Sequence, residues 1–198
     1  MKSYQKKYID EITNVLIKCG VPRRFWWARF ENFNDFGKSY VNYLKKYSKV
    51  TPLNDLLLYG NVGSGKTHLA VSLIAQFIED GRITPKNECR FLPASEYLFE
   101  IKSTYNSESV QTEDNVLDKY SNVDLLILDD LGAESVSEWA VDRIRLLVDR
   151  RYRNLKPIIV TSNLTPEMIE SKIDPRVSSR FAEGNIMLID LPDFRRKR

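Results

Sequence analysis

A glycine-rich octapeptide between two apolar stretches constrains the fold of this chain more than any other feature. The residues before it, Leu56–Tyr59, are apolar and typical of a short buried strand. After it, apolar residues recur every four positions at Leu69, Leu73 and Phe77, which predicts a helix. The octapeptide matches G-x-x-x-x-G-K-[ST], whose glycines let the backbone bend so that N–H groups and a helix N-terminus point at a phosphate. The predicted phosphate-binding loop therefore consists of Gly60, Asn61, Val62, Gly63, Ser64, Gly65, Lys66 and Thr67.

The chemistry of this motif assigns roles to its last two residues. Lys66 is expected to reach the β- and γ-phosphates of ATP, and Thr67 is expected to hold Mg²⁺. A second apolar run, Leu125–Leu128, ends in the carboxylates Asp129 and Asp130. A buried strand here would deliver Asp129 to the Mg²⁺ ion and would place Asp130 beside the water that attacks the γ-phosphate. Because Asp is one methylene shorter than Glu, a local turn or capping role is the alternative for Asp130.

A third apolar run, residues 157–161, is followed by Ser162 and Asn163. If this run is the next strand of the same sheet, the Asn163 amide lies at the sheet edge where the γ-phosphate would lie. A turn-forming role is the alternative, because Asn is common in turns.

From Asp55 onward, short apolar runs alternate with amphipathic runs, which is typical of a parallel sheet flanked by helices. Ser135–Glu138 has the spacing of a capping box, and Thr165–Glu167 supplies a cap, a first-position proline and an acidic first turn. Residues 106–121 are polar and are expected to form a loop with a short helix. We predict strands near 55–59, 89–93, 124–128, 157–161 and 185–190, and helices near 65–80, 95–105, 137–153, 166–172 and 175–182.

The residues before Asp55 predict two more helices. An apolar stripe from Tyr4 to Leu16 stops at Cys19-Gly20, and an amphipathic helix runs from about Asn34 to Tyr47. An aromatic-rich connector lies between them. We therefore divide the chain into an N-terminal helix with an aromatic linker, residues 1–33, and an α/β domain, residues 34–198.

Composition and charge narrow the classes of function. A net charge of +3 over 198 residues does not by itself indicate a nucleic-acid partner. The basic tail Arg195–Arg198 could bind phosphates, but we favour a solvated end over that alternative. Cys19 and Cys89 lack metal-ligand spacing and fit free thiols in a reducing cytoplasm. No apolar run approaches the ~18 residues of a membrane span. We therefore expect a soluble, cytoplasmic protein with no membrane partner.

Four segments in this order resemble the AAA+ ATPases of the DnaC/DnaI helicase-loader group, and the related IstB-type transposition ATPases share most of them. The segments are Gly60–Ala70, Ser121–Gly132, Thr161–Leu164 and Arg176–Arg180, and the resemblance covers roughly residue 21 to the end. It implies a P-loop AAA+ domain with a five-stranded parallel sheet, in which the central strand feeds the phosphate loop, and with no C-terminal helical lid. It also implies a nucleotide pocket that a neighbouring subunit completes.

The resemblance adds roles for an amide and an arginine. Asn163 matches the family's sensor amide, and Arg180 matches the arginine finger that reaches the ATP of the adjacent subunit, with Arg176 as the fallback. An arginine suits this role because its planar, always charged side chain neutralises charge that develops on the γ-phosphate. A salt bridge on the helix surface is the alternative for both arginines.

Three ring side chains are candidates near the nucleotide. His68 belongs to the family's Lys-Thr-His-Leu-Ala run in the nucleotide-binding segment, where we favour packing or capping over catalysis. Phe30 or Phe33 is a candidate for lining the adenine pocket, with a core role as the alternative.

The resemblance implies single-stranded DNA and a replicative helicase as partners. Tyr105, Ser137 and Trp139 lie where the family places aromatic and hydroxyl groups that face the DNA channel, and aromatic rings stack on bases without reading their sequence. A core role is the alternative for both aromatics. The implied function is ATP-dependent helicase loading in DNA replication by a nucleotide-dependent homo-oligomer, with weak ATP hydrolysis that assembly or DNA stimulates.

Two other functions stay open. An IstB-like transposition helper ATPase would act with a transposase and prefer duplex DNA, whereas a nucleotide-switched binding module would bind ATP tightly and hydrolyse little of it. Loaders of this group usually carry an N-terminal helicase-binding domain, and only about 20 residues precede the motif region here. The sequence therefore does not locate the helicase contact.

Overall fold

The computed structural model describes residues 3–84, 89–106, 110–133 and 137–195, with side chains from residue 11 onward. None of the helices in these ranges is long and apolar enough to span a membrane. The helices are α1 (Ser3–Lys18), α2 (Lys38–Tyr47), α3 (Lys66–Glu79), α4 (Ala94–Ser103), α5 (Glu113–Asn122), α6 (Glu138–Arg153), α7 (Pro166–Lys172) and α8 (Pro175–Glu183). The strands are β1 (Leu56–Tyr59), β2 (Cys89–Pro93), β3 (Leu125–Leu131), β4 (Ile158–Ser162) and β5 (Asn185–Leu188).

The predicted strands and helices are confirmed to within a few residues, and the main difference is the length of α5. This helix has ten residues, where the sequence predicted a loop with a short helix. The Thr112 hydroxyl accepts a hydrogen bond from the Asn115 backbone N–H at 3.2 Å, which caps the helix. Val116, Leu117 and Tyr120 are its buried apolar side chains. Burial of these few side chains stabilises a helix whose other residues are polar.

Two predicted helix caps have different outcomes. At α7 the Thr165 hydroxyl accepts a hydrogen bond from the Met168 N–H at 3.3 Å and Pro166 is the first helical residue, as predicted. At α6 the cap is Ser137, whose hydroxyl accepts from the Ala140 N–H at 3.2 Å. The cap predicted two residues earlier, at Ser135, is therefore corrected, and Ser135 itself lies outside the described residues.

The five strands form one parallel sheet in the order β2-β3-β4-β1-β5. The central strand is β4, and so the prediction that the central strand feeds the phosphate loop is wrong. The reason is topological, because β4 inserts between β3 and β1, and β5 then covers the other side of β1. Parallel strands point the same way, so the C-terminal ends of β1, β4 and β3 lie side by side. Every strand end that carries a predicted phosphate-site residue is at this edge.

Apolar side chains form one cluster on each face of the sheet. Leu56 and Leu58 of β1 belong to the first cluster and Leu57 belongs to the second, as expected from the alternation of side chains along a strand. Ile12 and Leu16 of α1 are buried in the first cluster, together with side chains of α2 and α3. The N-terminal helix thus packs on the face that also anchors α3. The domain division at residue 33 stays a prediction.

Candidate nucleotide-binding site

The loop between β1 and α3 takes backbone conformations that glycine adopts readily and other residues rarely do. The φ angle is +147° at Gly60, +76° at Gly63 and +96° at Gly65. Gly65 is the N-cap of α3, so the N–H groups of the first helical turn and the positive end of the helix face the loop. Asn61 and Val62 form its exposed tip, and Ser64 is buried behind them. The predicted phosphate-binding loop therefore has the backbone that its motif requires.

Lys66 lies at the centre of the site and is only 7% exposed. Its Nζ donates hydrogen bonds to the Gly60 carbonyl at 2.9 Å, the Asn61 carbonyl at 2.8 Å and the Asn163 Oδ1 at 2.8 Å. An ammonium group has three hydrogens, and these bonds use all of them. Burial lowers the pKa of Lys66, while the nearby carboxylates Asp130 and Asp129 oppose that shift. The ammonium group is thus held between the phosphate loop and the end of β4.

Asp129 and Thr67 are brought together, as the prediction of a shared Mg²⁺ site requires. The Asp129 carboxylate accepts hydrogen bonds from the hydroxyls of Thr67 and Thr161, the latter at 2.7 Å. Burial raises the pKa of Asp129, and these hydrogen bonds oppose the shift. Within the described residues there is no cluster of three or more His, Cys, Asp or Glu that could hold a metal. A carboxylate beside a hydroxyl nevertheless fits Mg²⁺, which uses one or two carboxylates and takes its other ligands from water and substrate phosphates.

Asp130 leaves the regular path of β3. Its φ angle is +59°, and the register between β3 and β4 shifts between Leu128 and Leu131. Asp tolerates the left-handed region better than most residues, and such outliers concentrate at functional sites. Its backbone N–H donates to the Thr161 hydroxyl at 2.9 Å, which holds the bulge in place. The bulge turns the Asp130 side chain away from the ladder and toward Asn163.

Asn163 links the lysine to this carboxylate. Its Oδ1 accepts from Lys66, and its Nδ2 donates to the Asp130 Oδ1 at 3.1 Å. Both ends of the amide are therefore used. A chain of hydrogen bonds joins the phosphate loop, β4 and β3 across three adjacent strands.

The rings beside the loop form a second part of the site. The His68 Nε2 lies 3.1 Å from the Arg29 carbonyl, and its ring contacts Phe33 and Trp27, both with ring centroids 5.2 Å away. Burial lowers the pKa of His68, which favours a neutral ring whose Nε2–H donates to that carbonyl. The packing role predicted for His68 agrees with these contacts. Phe30 is buried in the first cluster, the position expected from its core alternative.

A cavity of about 270 Å³ lies over the loop. The predicted residues that line it include Gly63, Gly65, Lys66, Thr67, His68, Asp129, Asp130 and Asn163.

Three further lining residues are absent from the sequence prediction, and a fourth belongs to the basic tail. Thr161 holds Asp129 from β4, and Arg24 and Phe25 reach the cavity from the aromatic connector. Arg195 is exposed but also lines the cavity, a position that the phosphate-binding alternative for the tail allows and that a fully solvated end does not. The rest of that tail, residues 196–198, lies outside the described residues. No local motif marks these four side chains, because packing between segments distant in sequence brings them to the site.

Arg180 lies away from this cavity. It forms an ion pair with Asp149 of α6, and its guanidinium carbon lies 4.7 Å from the centroid of the Tyr152 ring. It lines a cleft beside Asp55 and Gly184, which precede β1 and β5 and therefore mark the N-terminal edge of the sheet. The trans role of Arg180 stays a prediction, as does that of Arg176, whose side chain is exposed on α8.

The candidate DNA residues lie together near the start of α6. The Trp139 Nε1 donates to the Tyr105 hydroxyl at 3.1 Å, and the ring centroids are 6.2 Å apart. Tyr105 is 55% exposed, while Trp139 is half-buried against the second cluster. The Lys102 Nζ lies 5.0 Å from the centre of the Trp139 ring, and the Ser137 hydroxyl caps α6. Their contact with DNA stays a prediction.

Comparison with known proteins places this arrangement in a family. The pattern of a family described as the bacterial DnaA ATPase domain matches residues 30–188. YqaM of Bacillus subtilis, an uncharacterised protein, is 28% identical over 186 residues, which cover 86% of this chain and 56% of YqaM. The replicative helicase loader DnaC of Buchnera aphidicola is 27% identical over 186 residues, which cover 91% of this chain and 74% of that protein. A crystal structure of the DnaC helicase loader aligns with a TM-score of 0.73 at 25% identity, over 85% of this chain and 100% of that one.

A five-stranded parallel sheet with a phosphate loop after β1 and two carboxylates near the C-terminal end of β3 defines an α/β P-loop ATPase domain of the AAA+ class. The family match covers well over half of the residues, and the chain belongs to the bacterial DnaA ATPase domain family. The predicted resemblance to the DnaC/DnaI loaders is confirmed. The chain spans little more than half the length of YqaM, the first of these relatives.

Proposed function

We propose that this chain is an ATP-dependent replicative-helicase loader that acts in DNA replication. The observation that carries the proposal is the hydrogen-bonded chain Lys66–Asn163–Asp130 across the ends of three adjacent strands. It supplies a phosphate ligand, a sensor and a candidate base in one cavity. The similarity to a replicative helicase loader supports the choice among the many functions that ATPase domains of this class serve.

In this proposal the triphosphate of ATP lies over the loop, with the base toward Phe25 and His68. Thr67 and Asp129 would hold a Mg²⁺ ion, which shields the charge of the β- and γ-phosphates. Lys66 would exchange a backbone carbonyl for a phosphate oxygen. Its buried position makes that charge effective, because little water screens it.

Asp130 is the proposed base for the attacking water. Its bulged backbone presents the carboxylate to the cavity, and Asn163 holds one carboxylate oxygen. The second oxygen would then orient the water and take its proton. Asn163 also accepts a hydrogen bond from Lys66. A change at the γ-phosphate would therefore alter the hydrogen bonds of the lysine and of the Asp130 carboxylate together.

The remaining steps need partners. Arg180 of a neighbouring subunit would approach the γ-phosphate in a nucleotide-dependent homo-oligomer, with Arg176 as the fallback. Single-stranded DNA would stack on Tyr105 and Trp139 and would contact Ser137. We expect hydrolysis to be weak in the isolated chain, because no arginine finger acts within one subunit in this scheme.

The test is partner capture from an extract of the host, with ATP present, followed by a loading assay. The tagged chain should retain a replicative helicase, and the purified pair should place that helicase on circular single-stranded DNA, measured as strand unwinding. Lys66→Ala should do neither. Retention of a transposase would point to the transposition helper, and tight ATP binding without turnover or loading would point to a switched binding module.

A further inference from the structure

The segment after β5 crosses the phosphate loop. We call residues 189–195 the strap. The Ile189 N–H donates to the Tyr59 carbonyl at 2.7 Å, and the Phe194 N–H donates to the Gly63 carbonyl at 3.2 Å. Ile189 and Leu191 are buried in the first hydrophobic cluster. The strap is thus attached to the protein at its start, in its middle and near its end.

Two loop glycines allow this close approach. A Cβ atom added to Gly60 would overlap the Ile189 carbonyl oxygen, and one added to Gly63 would overlap the Asp193 carboxylate. The space that a side chain would fill at these positions is occupied by the strap. Gly60 and Gly63 therefore leave room for the strap, in addition to giving the loop the conformation that binds phosphate.

The conformation before Arg195 is fixed from both sides. The Arg195 N–H donates to the Asp193 Oδ1 at 2.9 Å, and the Phe194 ring packs edge-on against Phe33 with centroids 6.4 Å apart. Phe33 also borders the loop, because a Cβ added to Gly65 would lie 2.6 Å from its ring. The ring contact ties the strap to the aromatic connector across the loop.

The Arg195 side chain reaches the nucleotide cavity. Its charge acts on Lys66, since burial lowers the pKa of that lysine and Arg195 lowers it further. Within the described ranges no salt bridge joins a carboxylate to Arg195, and Asp129 and Asp130 line the same cavity. Two cations that repel one another in one cavity both gain from an anion bound between them.

We propose that Arg195 is a second cationic ligand of the β- and γ-phosphates, supplied by the same chain through the strap. The inference rests on the proposed nucleotide site. The three hydrogens of the Lys66 ammonium are already shared among two carbonyls and an amide, so a guanidinium adds donors that the lysine lacks. In this proposal Arg195 binds the phosphate end of the nucleotide, and the aromatic connector contacts the base.

The test compares Arg195→Gln, Arg195→Lys and the control Lys46→Gln, which removes one charge from an exposed position on α2. Competition against a fluorescent nucleotide gives the affinities for a non-hydrolysable ATP analogue, ADP and AMP. Arg195→Gln should weaken the ATP analogue by roughly 10- to 100-fold, weaken ADP less, and leave AMP unchanged. Arg195→Lys should retain most of the affinity, and Lys46→Gln should match wild type.

Two results would overturn the proposal: an ATP-analogue affinity of Arg195→Gln within about twofold of wild type, or an equal loss for AMP. A wild-type chain that binds none of the nucleotides would instead contradict the nucleotide site itself. Melting curves establish that each variant is folded.

A second variant tests the strap. Phe194→Ala removes the ring that packs on Phe33 and should reproduce part of the Arg195→Gln loss. If the ring acts by positioning Arg195, the double variant should bind the ATP analogue no more weakly than Arg195→Gln alone. Additive losses would contradict positioning through the strap.

Discussion

The phosphate-loop edge of the sheet and the α6 side of the molecule both hold candidate functional residues, but the chain satisfies them differently. At the loop, Lys66, Asn163 and Asp130 bind one another and line a single cavity. On the α6 side, Arg180 pairs with Asp149, while Tyr105 bonds to Trp139. The residues of the first region line one cavity, whereas those of the second form pairs with one another outside that cavity.

This difference predicts how each region works. A ligand at the loop meets groups that already line the cavity, and its binding replaces one hydrogen bond from Lys66 to a backbone carbonyl. A partner on the α6 side must replace existing contacts, such as the Arg180–Asp149 ion pair. We therefore expect nucleotide binding in the isolated chain, and activities that need Arg180 or the aromatic pair only in an assembly.

The largest expected effect comes from Lys66→Ala. The variant loses the charge at the β- and γ-phosphates and should lose nucleotide binding, with every nucleotide-dependent reaction. Titration with Mg·ATP measures this, and Lys46→Ala on exposed α2 is the matched control. Unchanged Mg·ATP affinity in the Lys66 variant would contradict the assignment of the phosphate loop.

Arg180→Ala should have the next largest effect, and only in the assembled protein. Removing an arginine finger lowers turnover by about 10³-fold or more, while the affinity of the monomer for ATP should not change. Asp149→Ala is the matched control variant, because it removes the intrachain ion pair but keeps the arginine. We expect Asp149→Ala to retain assembly-dependent hydrolysis, and equal losses in both variants would reduce Arg180 to a structural ion pair.

Mixing variants tests the trans role directly. Arg180→Ala and Lys66→Ala are each expected to be inactive alone, yet a mixed assembly contains pockets with Lys66 from one subunit and Arg180 from another. Recovered hydrolysis on mixing would support the role in trans. Failure to recover, with co-assembly shown by a tag on one variant, would count against it.

The same contrast explains what the sequence could predict. The loop, the helix caps and the apolar strands depend on neighbours in sequence, and glycine at positive φ is a local requirement. Lys66, Thr67, Asp129 and Asn163 could therefore be predicted from local sequence, and these four residues line one cavity.

Residues that reach the site through tertiary packing were missed. Thr161 looks like any strand threonine, and Arg195 belongs to a basic run without a motif, for which phosphate binding was only the less favoured alternative. The strand order was also misjudged, because the position of β1 depends on where β4 and β5 insert rather than on β1 itself. The left-handed turn at Asp130 follows from a register shift against β4, which no local pattern records.

Replacing Tyr105 and Trp139 by Ala tests whether these two rings on the α6 side stack on DNA or belong to the core. If the two rings are platforms, binding of single-stranded DNA should weaken by about 1–3 kcal/mol per lost stack, with little dependence on base sequence, and ATP affinity should not change. If they are core residues, truncation should cost about 3–5 kcal/mol of folding stability, which melting curves would show first. Tyr105 is 55% exposed and Trp139 is half-buried, so the single variants separate the two roles. Normal DNA binding by the folded fraction of the double variant would rule out the platform.

The smallest expected effect is the change in folding stability on substitution of Asp129, where function and stability should oppose each other. Burial raises the pKa of this carboxyl, with hydrogen bonds from Thr161 and Thr67 opposing. The folded state therefore binds a proton more readily than the unfolded state, and the free energy of unfolding falls as pH rises from the ordinary Asp range through the raised value.

Asp129→Asn removes this titration while keeping an acceptor for Thr161. At neutral pH it should be more stable than wild type by about 1 kcal/mol, although Mg²⁺-dependent turnover is lost. The advantage should shrink in acid, where the wild-type carboxyl is also neutral. Urea unfolding at both pH values measures the difference. A less stable Asn variant at neutral pH would mean that the charged carboxylate contributes to the fold at this edge, and that the loop region is built for stability as well as for its ligand.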